Sequence, residues 1–534
     1  MNGHEDKAVY GPGYIQWGIQ SCWQYCAVMA SLYTFSGAAQ CLNRALGVFR
    51  YLLSSHHTGS DKTTEGKKWG RTWISVLGIE RAMNGIRHLF GHISPAEKET
   101  FFNLLADECT FMLEHGNRNG ESDVMAGLWA KDHHNAPESN IWNGAFLWRI
   151  SRLLHTHPQA AAWAERAHDY LVNGISISDD ANNQTLLHGI SIAGRHKGAN
   201  FFPHFGLDHH GYMNVGYMII CLSNAAILYF DSKSYNFDLP QTLFHHQKDL
   251  WEVVRNMIFN NGRLARIGGD SRLRYTYCQE YLLPVLLYAA DYFHDTSAWQ
   301  MADALLALME KEQKESDSGF FYAHRLGYLA EHNPLYYARL EADRACVLAM
   351  LCNYLPLINQ QQEQPESSVK NFSWVEEQHG SVLERSADRF ASFSWRARGL
   401  GQALCVPPER SDLAEWESNL CPVIIFIGTA QGKSSRRLLS HSITQFPGGF
   451  VTCGKIMEGT DMYVAEGGQC TDQAVSSIAF AALPDGHTCI GLQYTITAPD
   501  LICYTREVKG LHLNIPNDLF NNYRRKLRFP DSSE

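Results

Sequence analysis

Between Leu207 and Met218 the chain reads LDHHGYMNVGYM, which brings two histidines, two tyrosines, an aspartate and an asparagine into twelve residues. Side chains of these types accept, donate and relay protons near neutral pH, as general acid–base chemistry requires. The cluster follows Asn200-Phe201-Phe202-Pro203-His204-Phe205, where Pro203 and the nearby glycines predict a loop. From Val215 the run VGYMIICLSNAAILYF is too long and apolar for a strand, so a helix is expected with the polar cluster at its entrance. His204, His209, His210, Tyr212 and Tyr217 are the candidates here.

Two other segments carry suitable chemistry. Glu138-Ser139-Asn140-Ile141-Trp142-Asn143 opens a helical pattern, with His133 and His134 just ahead of it. Gly268-Gly269-Asp270-Ser271-Arg272-Leu273-Arg274-Tyr275 supplies two guanidinium groups, suited to holding a carboxylate. Each candidate also has a structural reading. Asn140 can cap a helix, Arg272 and Arg274 can pair with Asp270 or Glu280, and Tyr217 can face the core with its hydroxyl satisfied. Histidine pairs recur at 56/57, 133/134, 209/210 and 245/246, so pairing alone does not mark a site.

The elements that must position these groups change character once along the chain. From residue 15 to about 355, apolar residues return at three and four positions in segment after segment, as in Trp163, Ala167, Tyr170 and Leu171. Ten or more consecutive helices with no strand between them suggest stacked helical hairpins in a curved array. Residues 358–370, INQQQEQPESSVK, read as a linker. Beyond it come β-type runs, RFASFSWRAR, VIIFIG, GGFVTCGKI, MYVAEG, SSIAFAAL and HTCIGLQYTI, separated by PGG, EGT and PDG turns. The expected fold is α+β and multidomain: an (α/α) helical toroid over 1–357 and an antiparallel β-sandwich over 371–534, whose tail lacks a clear closing strand. Gly428-Thr429-Ala430-Gln431-Gly432-Lys433-Ser434 resembles a phosphate loop, but it has three residues between its glycines where four are required, and it sits among strands.

With 534 residues the chain exceeds what one core usually supports. A net charge of −10 argues against a general nucleic-acid partner, while a local arginine cluster can still hold an acidic ligand. The fourteen cysteines contain no CxxC pair and read as reduced, mostly buried thiols rather than a zinc site; no cofactor is expected. The polar N-terminus and the interruption of the 215–230 run by Ser223 and Asn224 argue against a leader or a membrane span, which makes a cytoplasmic protein the expectation. Oligomeric state is not legible.

The toroid-then-sandwich order, the Asn–aromatic helix start, the His-Gly and Tyr spacing and the arginine-bearing loop together resemble polysaccharide lyases of the heparinase II/III, chondroitin and hyaluronate lyase type. In architecture the resemblance covers most of the chain; its motifs cover about forty residues. It implies an enzyme cleaving a uronate glycan by β-elimination. Asn140, with Asn143 as competitor, His210 and an arginine, Arg274 by preference, would neutralise the uronate carboxylate. Tyr217 would act as base and acid, its pKa lowered by neighbouring positive charge. His133, His134, His204, His209, Tyr212, Arg272 and Tyr275 would line the substrate cleft. This chain departs from the pattern in having Ile141 between the asparagine and the tryptophan, and in pairing His209 with His210. Lyases acting on rhamnose–glucuronate linkages are one relation it suggests. The chemistry is coherent, because the C5 proton becomes acidic only once the adjacent carboxylate is neutralised and the enolate-like transition state is stabilised.

Two other functions fit the same residues. A glycoside hydrolase on a toroid would use paired carboxylates, Asp208 with Asp270 or Glu138 with Asp208. A non-catalytic glycan-binding protein would use the 12% aromatic content for stacking.

Overall fold

The computed structural model describes residues 6–116, 124–132, 134–316, 319–322, 325–358, 371–411, 419–426, 435–460, 471–497, 505–513 and 526. His133, most of the 358–370 segment, the MYVAEG run and the phosphate-loop-like turn lie outside them, as does the side chain of Arg272.

The helices are α1 (Trp17–Ser36), α2 (Ala39–Ser55), α3 (Ser75–Ile86), α4 (Pro95–His115), α5 (Pro137–Leu153), α6 (Ala160–Val172), α7 (Ile192–Arg195), α8 (Val215–Tyr235), α9 (Gln247–Val254), α10 (Arg272–Glu280), α11 (Leu282–Asp291), α12 (Ser297–Lys314), α13 (Gly327–His332) and α14 (Pro334–Tyr354). Six positions form a closed inner ring: α1 packs on α3 and α14, α3 on α5, α5 on α8, α8 on α10 and α11, and these on α14. Helices α2, α6, α9 and α12 pack outside it as partners of α1, α5, α8 and α11. Helices α8 and α11 are apolar nearly all round because they meet neighbours on every side. Thus α8, long and apolar enough by composition to cross a membrane, is almost wholly buried within the ring. Pro284 has no N–H to donate to the Glu280 carbonyl, which accounts for the break between α10 and α11. Along the axis, Asp343 Oδ1 accepts from Gln24 Nε2 at 2.6 Å and Tyr281 OH at 2.8 Å, and the Arg81 guanidinium lies 4.0 Å over the Tyr281 ring.

The helical part also contains strands, contrary to the sequence expectation. β1 (Leu186–Leu187) pairs with β2 (Ile190–Ser191), and β3 (Asp208–His209) with β4 (Tyr212–Met213). Runs of two residues are too short to show an alternating period.

The strands after residue 371 are β5 (Phe372–Glu376), β6 (Ser381–Arg385), β7 (Phe390–Ser394), β8 (Gln402–Val406), β9 (Val423–Phe426), β10 (Ser435–Phe446), β11 (Gly449–Thr460), β12 (Thr471–Ala482), β13 (Cys489–Thr497) and β14 (Thr505–Lys509). β5–β8 and β10–β13 are antiparallel meanders, and β9 pairs with β14. The two meanders face each other: Val382, Phe393, Trp395 and Ala403 pack against Phe450, Ile456, Ile478 and Phe480. That is the expected sandwich. The other face of β5–β8 joins the main core through Leu383, Phe390 and Leu404, with Phe390 stacked 5.1 Å from Phe259. Every residue of β6 and β7 is therefore buried, as expected for a sheet covered on both faces.

Candidate active site at the mouth of the helical ring

The N-terminal ends of the ring helices meet at one mouth. Trp17 of α1 is edge-on to Trp73, just before α3, at 6.3 Å, and Trp73 is 6.1 Å from Trp142 of α5. Arg339 of α14 lies 3.9 Å over Trp17 and 4.4 Å over Tyr277 of α10. Half-buried Trp17, Trp73, Trp129, Tyr217 and Tyr336 give this rim aromatic faces of the kind on which sugar rings stack.

The β3–β4 hairpin delivers the histidines. Its two turn residues, His210 and Gly211, have φ of 59° and 85°, the left-handed pair that a tight two-residue hairpin demands. Glycine takes this conformation readily; histidine does so at a cost of about 1–2 kcal/mol, so the turn holds an exposed imidazole in a strained position. His209 points inward and is 5% exposed. Its Nδ1 is 2.6 Å from Asn135 Oδ1 and its Nε2 is 3.7 Å from Glu138 Oε1. Asn214 ends the hairpin and caps α8, its Oδ1 accepting from the Tyr217 backbone N–H at 3.1 Å. This cap sets Tyr217 one turn into the helix, with its ring 4.2 Å from His209 and 5.0 Å from His210.

Tyr212 and Arg274 form the adjoining wall. Tyr212 OH donates to Asp270 Oδ1 at 2.5 Å and accepts from Arg274 Nη1 at 2.8 Å. Ser271 caps α10 by accepting from the Arg274 N–H, which fixes where the guanidinium leaves the helix. Burial and the Asp270 carboxylate hold the Tyr212 hydroxyl well above its usual value. Burial raises Asp270 as well. Burial alone would lower Arg274, but Tyr212, Tyr217 and Asp270 raise it on balance.

The sandwich completes the setting. His379, between β5 and β6, sets Nε2 3.1 Å from Asp208 Oδ2, and Asp208 Oδ1 accepts from the Ala130 N–H at 3.0 Å. Trp129 stacks on His379 at 5.8 Å and lies under the Arg396 guanidinium at 4.9 Å. The Met213 N–H donates to the Arg396 carbonyl, so the hairpin is tied to the sandwich on its outer side.

Several candidates stand elsewhere than the sequence suggested. Asn140 is fully buried inside α5 and is not its cap, which is Ala136. Its Nδ2 donates to the Met125 and Asn173 carbonyls at 2.7 and 2.8 Å, so both amide hydrogens are held by backbone and turned from any carboxylate in the mouth. Asn135, five residues earlier, is the amide that meets a site histidine. Asn143 is buried in the same helix. Tyr275 directs its hydroxyl to the Leu264 carbonyl at 2.6 Å, away from Arg274's partners. His134 is exposed. His204 is exposed at the seam with the sandwich, its N–H donating to Glu376 and its carbonyl accepting from Trp374 Nε1. The expectation that neighbouring charge lowers the Tyr217 pKa is corrected: burial raises it well above the ordinary tyrosine value, and Arg274 opposes this without reversing it. Glu280 is not an Arg274 partner but pairs with Arg344 at 2.7 Å.

Asn135, Trp129, His379 and Arg396 are the residues that sequence reasoning did not select. Asn135 and Trp129 were legible only as neighbours of the His133-His134 pair; His379 and Arg396 come from the other end of the chain. Two clusters among the described residues have metal-ligand composition, Asp180 with His245 and His246, and His56 with Asp107 and Glu108. Neither includes a residue of the hairpin.

No family model matches the chain. No curated protein matches it. Among solved structures it is similar to cellobiose 2-epimerase from Bacillus thermoamylovorans (10% identity over 59% of this chain and 84% of that chain, TM-score 0.39). It is also similar to a Paenibacillus xanthan lyase (11% identity, 87% of this chain and 41% of that chain, TM-score 0.42) and to heparinase III (11% identity, 86% and 60%, TM-score 0.42).

Proposed function

We propose that the chain is a lyase that cleaves a uronate-containing glycan by β-elimination at the mouth of the helical ring. The observation that carries this reading is the grouping of Tyr217 with His209 and His210, at ring distances of 4.2 and 5.0 Å, beside a guanidinium whose charge Tyr217 feels. Arg274 receives the uronate carboxylate and lowers the barrier to loss of the C5 proton. Tyr217, protonated in the free protein because of burial, is suited to donating to the leaving glycosidic oxygen. The exposed imidazole of His210 takes the C5 proton as the general base. Asn135 and Glu138 act through His209 and are positioning residues.

The carboxylates needed for a hydrolytic pair are already engaged. Asp208 is held by His379 and the Ala130 N–H, and Asp270 by Tyr212 and the Ser271 N–H. The test is incubation of the purified protein with glucuronate-containing gums, glycosaminoglycans, alginate and pectins. Growth of the ultraviolet absorbance of an unsaturated uronate supports the lyase. New reducing ends without that absorbance would overturn it in favour of hydrolysis.

A further inference from the structure

On the flank of the toroid, two chain segments bring an aspartate and two histidines together, and the hairpin chemistry uses none of them. Asp180 lies in the single turn Ser178–Asn182, and His245-His246 precede α9. Asp180 Oδ2 is 3.1 Å from His245 Nε2, and Asp180 Oδ1 is 3.0 Å from His246 Nε2. The three side chains are 2%, 6% and 17% exposed, so the group is largely removed from water. We infer that Asp180, His245 and His246 bind one divalent transition-metal ion of the zinc type.

Three observations point the same way. Ligand atoms about 2.0–2.1 Å from a tetrahedral zinc are separated from one another by about 3.3 Å, and the two imidazole-to-carboxylate separations are close to that already. His246 Nδ1 is 2.8 Å from Asp249 Oδ2, the carboxylate-to-histidine arrangement that fixes the tautomer of a metal-bound imidazole. Finally, His246 holds a left-handed backbone, φ 53°, which a histidine adopts only under constraint.

Two imidazole nitrogens with one carboxylate suit zinc, nickel or cobalt better than calcium or magnesium, which prefer all-oxygen sites. The ion would staple Ser178–Asn182 to the approach of α9. His246 also touches Phe205, at a ring distance of 5.2 Å, in the loop that leads to the His209-His210 hairpin. The role is therefore structural, and it does not depend on the lyase reading.

Metal content of the full-length protein, purified from zinc-supplemented cells and dialysed, tests this, together with calorimetric titration of chelator-stripped protein with zinc chloride. About one zinc per chain is expected, with the melting temperature lowered by several degrees on chelation and restored by zinc. Asp180→Asn should abolish binding. Asp249→Ala, at a side chain 56% exposed, should leave the fold intact and weaken zinc binding by about 10- to 100-fold. Asp107→Asn, in the other cluster, should leave it unchanged. Substoichiometric metal with neither heat nor a melting shift on adding zinc would overturn the inference in favour of a purely ionic His–Asp cluster. Full affinity in Asp180→Asn, or loss of binding in Asp107→Asn, would overturn it equally.

Discussion

His379→Ala should loosen the candidate site from a distance, and its size can be worked from the contacts. His379 and Asp208 are 0% and 4% exposed at the side chain, with 3.1 Å between Nε2 and Oδ2. A hydrogen bond to a charged group contributes about 1.5–3 kcal/mol, and loss of the ring contacts with Trp129 and Phe202, at 5.8 and 5.4 Å, removes about 1 kcal/mol more. Asp208 keeps the Ala130 N–H, so the total stays near 2.5–4 kcal/mol rather than the larger penalty of an abandoned buried charge. At about 1 °C per kcal/mol for a chain of this size, the melting temperature should fall by about 2–4 °C. His379→Gln, which keeps a donor, should lose about half as much. Burial lowers the His379 pKa, with Asp208 opposing. A histidine that folds in its neutral form contributes stability fully above its unfolded pKa of about 6.5, and the contribution is lost as pH falls below that value. The gap between wild type and His379→Ala should therefore shrink as the buffer is taken from about pH 7.5 to about pH 5. Thermal unfolding across that range, with amide exchange followed at residues 208–213, measures both effects. A melting shift under about 1 °C at neutral pH, or a gap that widens in acid, would refute the reasoning.

Three further outcomes follow from other contacts. Asn135→Ala should lower turnover on a uronate glycan by about 10- to 100-fold while KM changes little, because His209 loses its orienting partner and no substrate contact is removed; steady-state kinetics separate the two, and a rise confined to KM would contradict the assignment. His210→Gly should relieve the positive-φ strain and leave the protein as stable or up to about 1 kcal/mol more so, while turnover is lost; a clear drop in melting temperature would show that the ring supports the fold. Burial, with His188 and Arg195 nearby, depresses the His168 pKa to about 3, so its contribution to stability fades as pH falls from about 6.5 towards that value. His168→Gln should accordingly flatten the acid side of the melting profile, and an unchanged profile would count against that sign.

Much of the architecture was readable because it rests on local periodicity. The apolar run after Asn214 announced α8, and the dense β-type runs announced β7, β11, β12 and β13. What failed depended on contacts between distant residues. Asn140 and Asn135 are both amides near a helix start, and only the packing of Met125 and Asn173 against α5 decides which of them is held by backbone. The sign of the Tyr217 shift turns on burial, whereas the sequence displays only the nearby charges. The two-residue strands β3 and β4 have no period to detect, yet they set the left-handed turn at His210. His379 reaches Asp208 across 171 positions of chain, a pairing with no local signature. The His245-His246 pair was visible in the sequence, but its value as a ligand set rests on Asp180, 65 positions away from His245.

The most direct measurement of the central claim is ultraviolet absorbance during incubation with the uronate glycan panel, comparing wild type, Tyr217→Phe and Arg274→Ala. The account predicts unsaturated uronate from the wild type on at least one glycan. It predicts a rate at least about 100-fold lower for Tyr217→Phe with binding retained, and weakened binding for Arg274→Ala. Wild-type rates unchanged in Tyr217→Phe, or bond cleavage that leaves only saturated products, would contradict it.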